Sequence, residues 1–319
     1  MERRAGAGAD AGAILHDGRA LLLGLPLTLL ITALLAHYIT GLPWLQCFLL
    51  GAVLAPTDPV FAAAIVGRKE VPGRLRHLLN VESGLNDGLA LPVVLVLLAL
   101  GSGTDVGVGV LAEEIVLGLL VGVLVPLIVI WLERLPFLMA TKGLQPLVAV
   151  SIGLLVLAIC LVTGANLFLA AFAAGITVAT AGPGFREEFE QFGELVSELL
   201  KLAAILVFGA LITPEFLFGE IAWTGWVFAV LAILVARPVA LLVSFLGTKL
   251  PVKEQLAAMW FGPKGFASVV YGLLVLESGI ERSDELFHLV ALVIVLSILA
   301  HSSTDVLVAK QFQGSLSDP

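Results

Sequence analysis

The sequence predicts an all-α polytopic membrane protein of about ten transmembrane helices, arranged as two inverted triplets that each contain an interrupted helix. Three observations lead there. The chain is 59% hydrophobic and only 13% charged, with a mean hydropathy of +1.07, a balance that belongs to integral membrane proteins and not to a soluble domain of 319 residues. Apolar stretches of bilayer-spanning length recur along the chain. Two of them are broken near their centres, one by Pro56-Thr57-Asp58-Pro59 and the other by Gly262-Pro263-Lys264-Gly265.

Taken in order, residues 1–19 are a polar, Gly- and Ala-rich lead-in without the apolar core of a signal peptide. Spans follow at residues 20–39, 44–66, 79–100, 114–132, 145–162, 165–180, 199–213, 221–246, 255–277 and 286–304. Those at 165–180 and 199–213 are short for ~30 Å of hydrocarbon, which reads as an offset or partly re-entrant placement. Between these two, residues 186–198 are acidic and are flanked and interleaved by Phe185, Phe189, Phe192 and Leu195 at helical spacing. That is the pattern of an interfacial amphipathic helix joining two halves. Cys47 and Cys160 lie in apolar segments and read as small buried hydrophobes, not as a disulfide or a metal pair. The net charge of −8 comes without a basic patch, which excludes nucleic acid as a partner.

Lys and Arg set the orientation. With the lead-in inside, most of the 17 basic residues fall in cytoplasmic loops, from Arg3, Arg4 and Arg19 through Arg68, Lys69, Arg74 and Arg76 to Lys310. Arg282 alone falls outside, and Arg237 and Lys264 lie within spans. Both termini are then cytoplasmic, in a multi-pass protein of the plasma (inner) membrane. The first three spans run in-to-out, out-to-in and in-to-out, and the last three run the opposite way. The middle span of each triplet is the broken one, the sequence pointer to an alternating-access transporter.

The chemistry gathers at those breaks. A carboxylate at the bilayer centre costs at least ~2.5–3.5 kcal/mol, yet Asp58, Glu82 and Asp87 lie close together in sequence within the second and third spans. Prolines on both sides of Thr57-Asp58 remove backbone donors and unwind the helix, freeing carbonyls that can face a cavity but not lipid. The bland alternative is a Pro-kinked helix whose polar groups only satisfy one another. Thr57, Asp87, Arg237 and Lys264 each lie about nine residues from the cytoplasmic end of their spans, or ~13 Å deep, which places them near one level.

On a helix, Ser83 and Asp87 share one stripe and Glu82 and Asn86 the adjacent one. Hard oxygen donors suit an alkali cation, so Asp87, Ser83 and Thr57 are the expected ligands of a transported monovalent cation, with Asp58 in the same cation- and proton-binding group. Burial makes the charged carboxylate costly, so that proton and metal ion can compete for Asp87. Arg237 needs a carboxylate partner and Glu82 is the best placed; Glu82, Asn86, Arg237 and Lys264 form the supporting set. Lys264 is expected to compensate helix-end charge at the break, with pairing to Asp58 or snorkelling as the alternatives. His37 and His301 read as interfacial histidines near helix ends, His77 as solvated in the basic cytoplasmic loop, and Asn166 and Thr163 as helix caps at a short outer turn.

Thr57-Asp58-Pro59, the run from Glu82 to Gly88 (Glu-Ser-Gly-Leu-Asn-Asp-Gly), Ala236-Arg237 and Gly262-Pro263-Lys264-Gly265 together resemble the monovalent cation:proton antiporter family that contains the NhaP-type sodium/proton exchangers. The similarity runs over residues 14–304. It implies a sodium/proton antiporter-like fold in which the two broken helices cross, with a moving core domain and a scaffold domain that forms a homodimer. In that family the aspartate matching Asp87 binds cation or proton, and the glutamate and arginine matching Glu82 and Arg237 pair. The threonine and serine matching Thr57 and Ser83 join the cation ligands. Asn86, where electrogenic relatives carry a second aspartate, implies electroneutral one-for-one exchange. Two departures stand out: relatives usually carry Arg at the Lys264 position, and they commonly have thirteen spans, so the chain is expected to lack the first three scaffold helices.

The organisation so implied is a lead-in over 1–19, first-repeat core helices over 20–100, linker and scaffold or dimer helices over 101–220, second-repeat core helices over 221–304, and a cytoplasmic tail over 305–319. The expected function is secondary antiport of a monovalent cation (Na+ first, Li+ or K+ next) against H+, without enzymatic chemistry and without a cofactor beyond the transported ions. A truncated, non-transporting membrane remnant or assembly partner is the alternative. An intramembrane aspartyl protease using Asp58 and Asp87 would need the two carboxylates to share a proton, and the neighbouring Asn86 and Arg237 fit that poorly.

Overall fold

A computed structural model describes residues 23–58, 71–102, 108–135, 137, 145–181, 183–219, 221–248 and 250–312, and among these every regular element is helical. The lead-in, Pro59, Arg68, Lys69, Lys142 and the end of the tail lie outside the described residues. The helices are α1 (Leu25–Thr40), α2 (Trp44–Leu54), α3 (Gly73–Gly101), α4 (Val108–Glu133), α5 (Gln145–Thr163) and α6 (Leu167–Ala181). They continue with α7 (Pro183–Leu211), α8 (Pro214–Gly219), α9 (Trp223–Ser244), α10 (Val252–Trp260), α11 (Phe266–Glu277) and α12 (Ser283–Lys310). Of these, Gly73–Gly101, Ala112–Glu133, Trp223–Ser244 and Ser283–Lys310 are each long and apolar enough to cross a membrane. The others are shorter apolar helices such as α1 and α6, the halves of interrupted ones, the amphipathic α7 and the six-residue α8.

The helices fall into two compact units, Met1–Ser102 with Val207–Pro319, and Gly103–Leu206. In the first, α1 lies against α2 and α9, and α12 against α9 and α11. The buried faces of α1 and α2 include Ala33, Ala36 and Ala52, small side chains that let backbones approach closely where lipid offers no hydrophobic drive. A separate cluster joins Leu75, Leu78 and Leu79 of α3, Leu241 and Phe245 at the end of α9, Ala257 and Ala258 of α10, and Ala309 and Phe312 at the end of α12. In the second unit, α4 and α6 make the closest helix pair. Its core holds Val125, Ile152, Val156, Cys160, Ala170, Ala174 and Val178. Asn166 takes the capping position expected of it: its Oδ1 accepts the Leu169 N–H at 3.0 Å, while its own N–H donates to the Glu114 carbonyl at 3.0 Å. Thr163 Oγ1 accepts the Ala165 N–H at 3.4 Å in the same turn.

Two expectations about element boundaries are corrected. The third span begins at Gly73, directly after Pro72, so Arg74, Arg76 and His77 are helical and not in a loop. Proline fits the residue before a first turn, and Arg, Leu and His can all follow it into a helix. Asp87 therefore lies further along its helix than the nine-residue count assumes, although the polar groups still meet. The amphipathic stretch around residues 186–198 is not a separate interfacial helix, and 199–213 is not a short span: both belong to the 29-residue α7. Glu198, Leu199, Leu200 and Lys201 are good helix formers, and no proline stands at the join to end the helix.

Candidate functional site: two crossed helix breaks

The first break follows Leu54, where α2 ends; Pro56 removes a donor and Pro59 restricts the residue before it. The second follows Trp260, with Phe261 extended at φ −80 and ψ 94, and lasts until α11 starts at Phe266. The two breaks cross in contact. The Asp58 N–H donates to the Pro263 carbonyl at 2.8 Å, and the Phe266 N–H donates to Asp58 Oδ2 at 3.0 Å. Asp58 thus places a carboxylate on the first amide of α11, where orphan donors and the positive end of the helix dipole favour an anion. The Lys264 Nζ donates to the Pro56 carbonyl at 3.4 Å, and Ser268 Oγ to the Val53 carbonyl at 2.8 Å. These two donors serve carbonyls at and beyond the end of α2, which its own helix leaves without partners. A cation at one half-helix C-terminus and an anion at another's N-terminus compensate the charge of both interrupted helices.

Two glycines make the crossing sterically possible. A Cβ at Gly265 would overlap the Asp58 side chain, and one at Gly262 would overlap the Arg237 guanidinium.

Arg237 sits where α9 changes from a wide turn over Ala232–Ala236 back to regular helix, directly before Pro238. Proline has no N–H for the carbonyl four residues back, and a π-type turn is a common local remedy. The Arg237 guanidinium grips Glu82 in two places, Nη1 to Oε1 at 2.6 Å and Nη2 to Oε2 at 3.0 Å. Nη2 also faces the carbonyls of Ala258 at 3.2 Å and Phe261 at 3.1 Å, where α10 ends. Glu82 and Arg237 are 4% and 5% exposed, so neither charge has water as an alternative partner.

Beside this pair, Thr57 Oγ1 and Ser83 Oγ lie 3.2 Å apart, which brings the first break against α3. Asn86, 1% exposed, has no hydrogen-bond partner for its Oδ1 among the described residues, and neither has Arg237 Nε. Asp87 has its backbone in α3, one turn beyond Ser83, and its side chain lies outside the described residues. The structure therefore brings together Thr57 with Ser83, Glu82 with Arg237, and Asp58 and Lys264 with the opposite break. The hydroxyl pair, the freed carbonyls and the carboxylate-bearing turn of α3 gather hard oxygen atoms at one place, the donor type that suits an alkali cation.

Of the two histidines expected at the interface, one departs from expectation. His37 is at the end of α1, its Nδ1 2.9 Å from the Leu42 carbonyl and its ring stacked on Trp44 at 4.0 Å. His301 is not interfacial: it is 3% exposed, against the second break. Ser297, one turn before it, accepts the Lys264 N–H at 2.9 Å. The available signal was Ser297 and His301 at i and i+4, the serine inside the apolar run of residues 289–300 and the histidine directly after it, a polar stripe that turns toward the bundle interior.

A family profile described as sodium/hydrogen exchanger, transmembrane, matches residues 14–310. A K(+)/H(+) antiporter NhaP of Alkalimonas amylolytica is 28% identical over 284 residues, covering 87% of this chain and 49% of that protein. A probable Na(+)/H(+) antiporter of Schizosaccharomyces pombe is 30% identical over 277 residues, covering 78% of this chain and 35% of that protein. The chain spans about half the length, or less, of these relatives. Among solved structures, the sodium proton antiporter MjNhaP1 from Methanocaldococcus jannaschii at pH 8 superposes with a TM-score of 0.71 at 21% identity, covering 94% of this chain and 79% of that one. The likeness to MjNhaP1 establishes the fold: an all-α membrane protein with two crossed, broken helices.

Proposed function

Because this chain belongs to the sodium/hydrogen exchanger family, we propose that it exchanges a monovalent cation for H+ by alternating access, with both ions competing for Asp87. The observation that carries this reading is the approach of Thr57 Oγ1 to Ser83 Oγ, 3.2 Å, one helical turn from Asp87 and at the point where the two breaks cross. Ser83, Thr57 and the Asp87 carboxylate supply the cation's oxygens. Glu82 is held by Arg237 and is thereby withdrawn from the contest, which leaves one mobile carboxylate and one charge exchanged per cycle. Asn86 adds no charge, and the exchange is one for one and electroneutral. Asp58 and Lys264 act through the half-helix ends they neutralise. The resemblance to named K+/H+ and Na+/H+ antiporters supports Na+ or K+ as cargo, with Li+ the further candidate to test. The protein works in the plasma membrane as a homodimer, with both termini in the cytoplasm.

Antiport in proteoliposomes tests this. An imposed proton gradient is followed with a pH dye while Na+, Li+ or K+ is added in turn. The full chain dissipates the gradient with at least one of them, and Asp87→Asn does not. Equal activity in Asp87→Asn overturns the site. Silence of the full chain with all three cations favours the alternative, a non-transporting membrane component.

A further inference from the structure

His301 is a buried titratable group to which the exchange reading assigns no task. Its surroundings are specific. Nε2 lies 2.9 Å from the Trp260 carbonyl. A carbonyl only accepts, so Nε2 carries a proton and donates. Nδ1 faces Ser297 twice, at 3.1 Å from the hydroxyl and 2.6 Å from the carbonyl. It accepts from the hydroxyl when the ring is neutral and donates to the carbonyl when it is charged. The same Ser297 hydroxyl accepts the Lys264 N–H. Ser297 and His301, one turn apart on α12, therefore hold two points of the second break: the Trp260 carbonyl immediately before it and the Lys264 amide within it. The ring also lies 5.1 Å from Trp260 and 6.4 Å from Phe261, centroid to centroid. A small cavity there is lined by Trp260, Gly262, Lys264, Ser297, His301 and Arg237, so the charged groups around His301 are Lys264 from the break and Arg237 from α9, the latter paired to Glu82 of α3.

We infer that His301, with Ser297, is a positioning residue for ion binding: it clamps the second break so that the first break presents Thr57 to Ser83. The clamped segment contacts the first break through Pro263 to Asp58, Phe266 to Asp58 and Lys264 to Pro56, and Thr57 adjoins Asp58 in that break. The carbonyls of Ala258 and Phe261, on either side of Trp260, are the ones Arg237 uses. Released from α12, the end of α10 loses its donor at Trp260 and both the cation ligands and the Arg237–Glu82 pair lose their fixed backing. The consequence for transport rests on the exchange reading above; the clamp itself does not.

The test compares the full chain with His301→Leu, His301→Gln and Ser297→Ala in proteoliposomes. Two quantities are read: antiport rate against cation concentration, and deuterium uptake by the peptide covering residues 261–266. His301→Leu leaves the Trp260 carbonyl without a donor and raises the half-saturating cation concentration about tenfold, with a smaller change in maximal rate. His301→Gln retains an N–H donor of similar reach and recovers most of that loss. Ser297→Ala frees the Lys264 amide and raises uptake in the break peptide, which keeps the inference testable if His301→Leu does not fold. Three results would each overturn it: unchanged half-saturation and unchanged uptake in His301→Leu, equal loss in the Gln and Leu variants, or unchanged uptake in Ser297→Ala. A full chain that transports nothing, yet shows the expected uptake changes, defeats the exchange reading and leaves the clamp standing.

Discussion

Arg237 and Glu82 are both buried, and that governs what each substitution does. Each is at most 5% exposed, and the guanidinium makes two contacts to the carboxylate at 2.6 and 3.0 Å. Glu82→Gln leaves a buried guanidinium without its counter-charge, a change that typically costs about 3–5 kcal/mol. The double variant Glu82→Gln/Arg237→Leu leaves neither partner of this pair charged and recovers part of that loss. The check is the midpoint of thermal unfolding in detergent for both variants; a double variant no more stable than the single one contradicts this account. Gly262 makes the complementary point about space. Gly262→Ala drives a methyl group into the Arg237 guanidinium, an overpacking worth about 1–3 kcal/mol. Its unfolding midpoint falls below that of Gly153→Ala, since a Cβ at Gly153 meets nothing within 4 Å. The Arg237–Glu82 pairing was legible in the sequence because an intramembrane arginine needs a carboxylate and few were available. The His301 contacts were not, because nothing local tells a histidine near a helix end that a half-helix from elsewhere in the chain will end against it.

At the scale of elements, the breaks were readable and the joins were not. Proline on either side of Thr57-Asp58, and Gly-Pro-Lys-Gly in the later helix, state in local chemistry that a helix must stop. The continuity of α7 depends instead on the absence of a stop signal, and the start of α3 at Gly73 is hidden because polar residues look the same in a loop as on an exposed helical turn. The early start of α3 has a consequence at the ends of α3 and α10. Arg74 donates to Glu254 at 2.6 and 2.5 Å, with the arginine side chain 53% exposed and the glutamate side chain only 6%. The two partners therefore respond unequally. Arg74→Ala leaves a buried carboxylate unpaired, whereas Glu254→Gln leaves an arginine that water can solvate, so the arginine variant loses more stability. Exposure of Arg74 screens the pair and keeps the glutamine variant's loss to about 1 kcal/mol or less. Melting temperatures of the two variants at low and high salt decide it; equal losses would show that burial of Glu254 is not what matters.

For the whole molecule, the first unit contains both broken helices and every polar side chain named at their crossing, including His301 and Ser297. The alternation of spans and the matched interruptions made that pairing legible without any contact being known, since an interrupted helix in lipid must find partners for its freed backbone and another interrupted helix can supply them. What spacing could not give is which oxygen meets which amide at the crossing. The crossing also limits the charge that can move. Glu82 is committed to Arg237, Asp58 accepts the Phe266 amide at the start of α11, and Asn86 is neutral, so on the proposed mechanism Asp87 carries one cation or one proton and returns with the other. Each cycle then moves no net charge across the membrane. Moving one elementary charge through a potential is worth about 2.3 kcal/mol per 100 mV, so an exchanger that moved unequal charge would respond steeply to voltage. In vesicles holding a K+ diffusion potential set with an ionophore, Na+- or Li+-driven proton movement therefore proceeds at the same initial rate at either sign of the potential. A rate that changes several-fold when the sign is reversed means that a second carboxylate titrates during transport, and one-for-one exchange at Asp87 is then wrong.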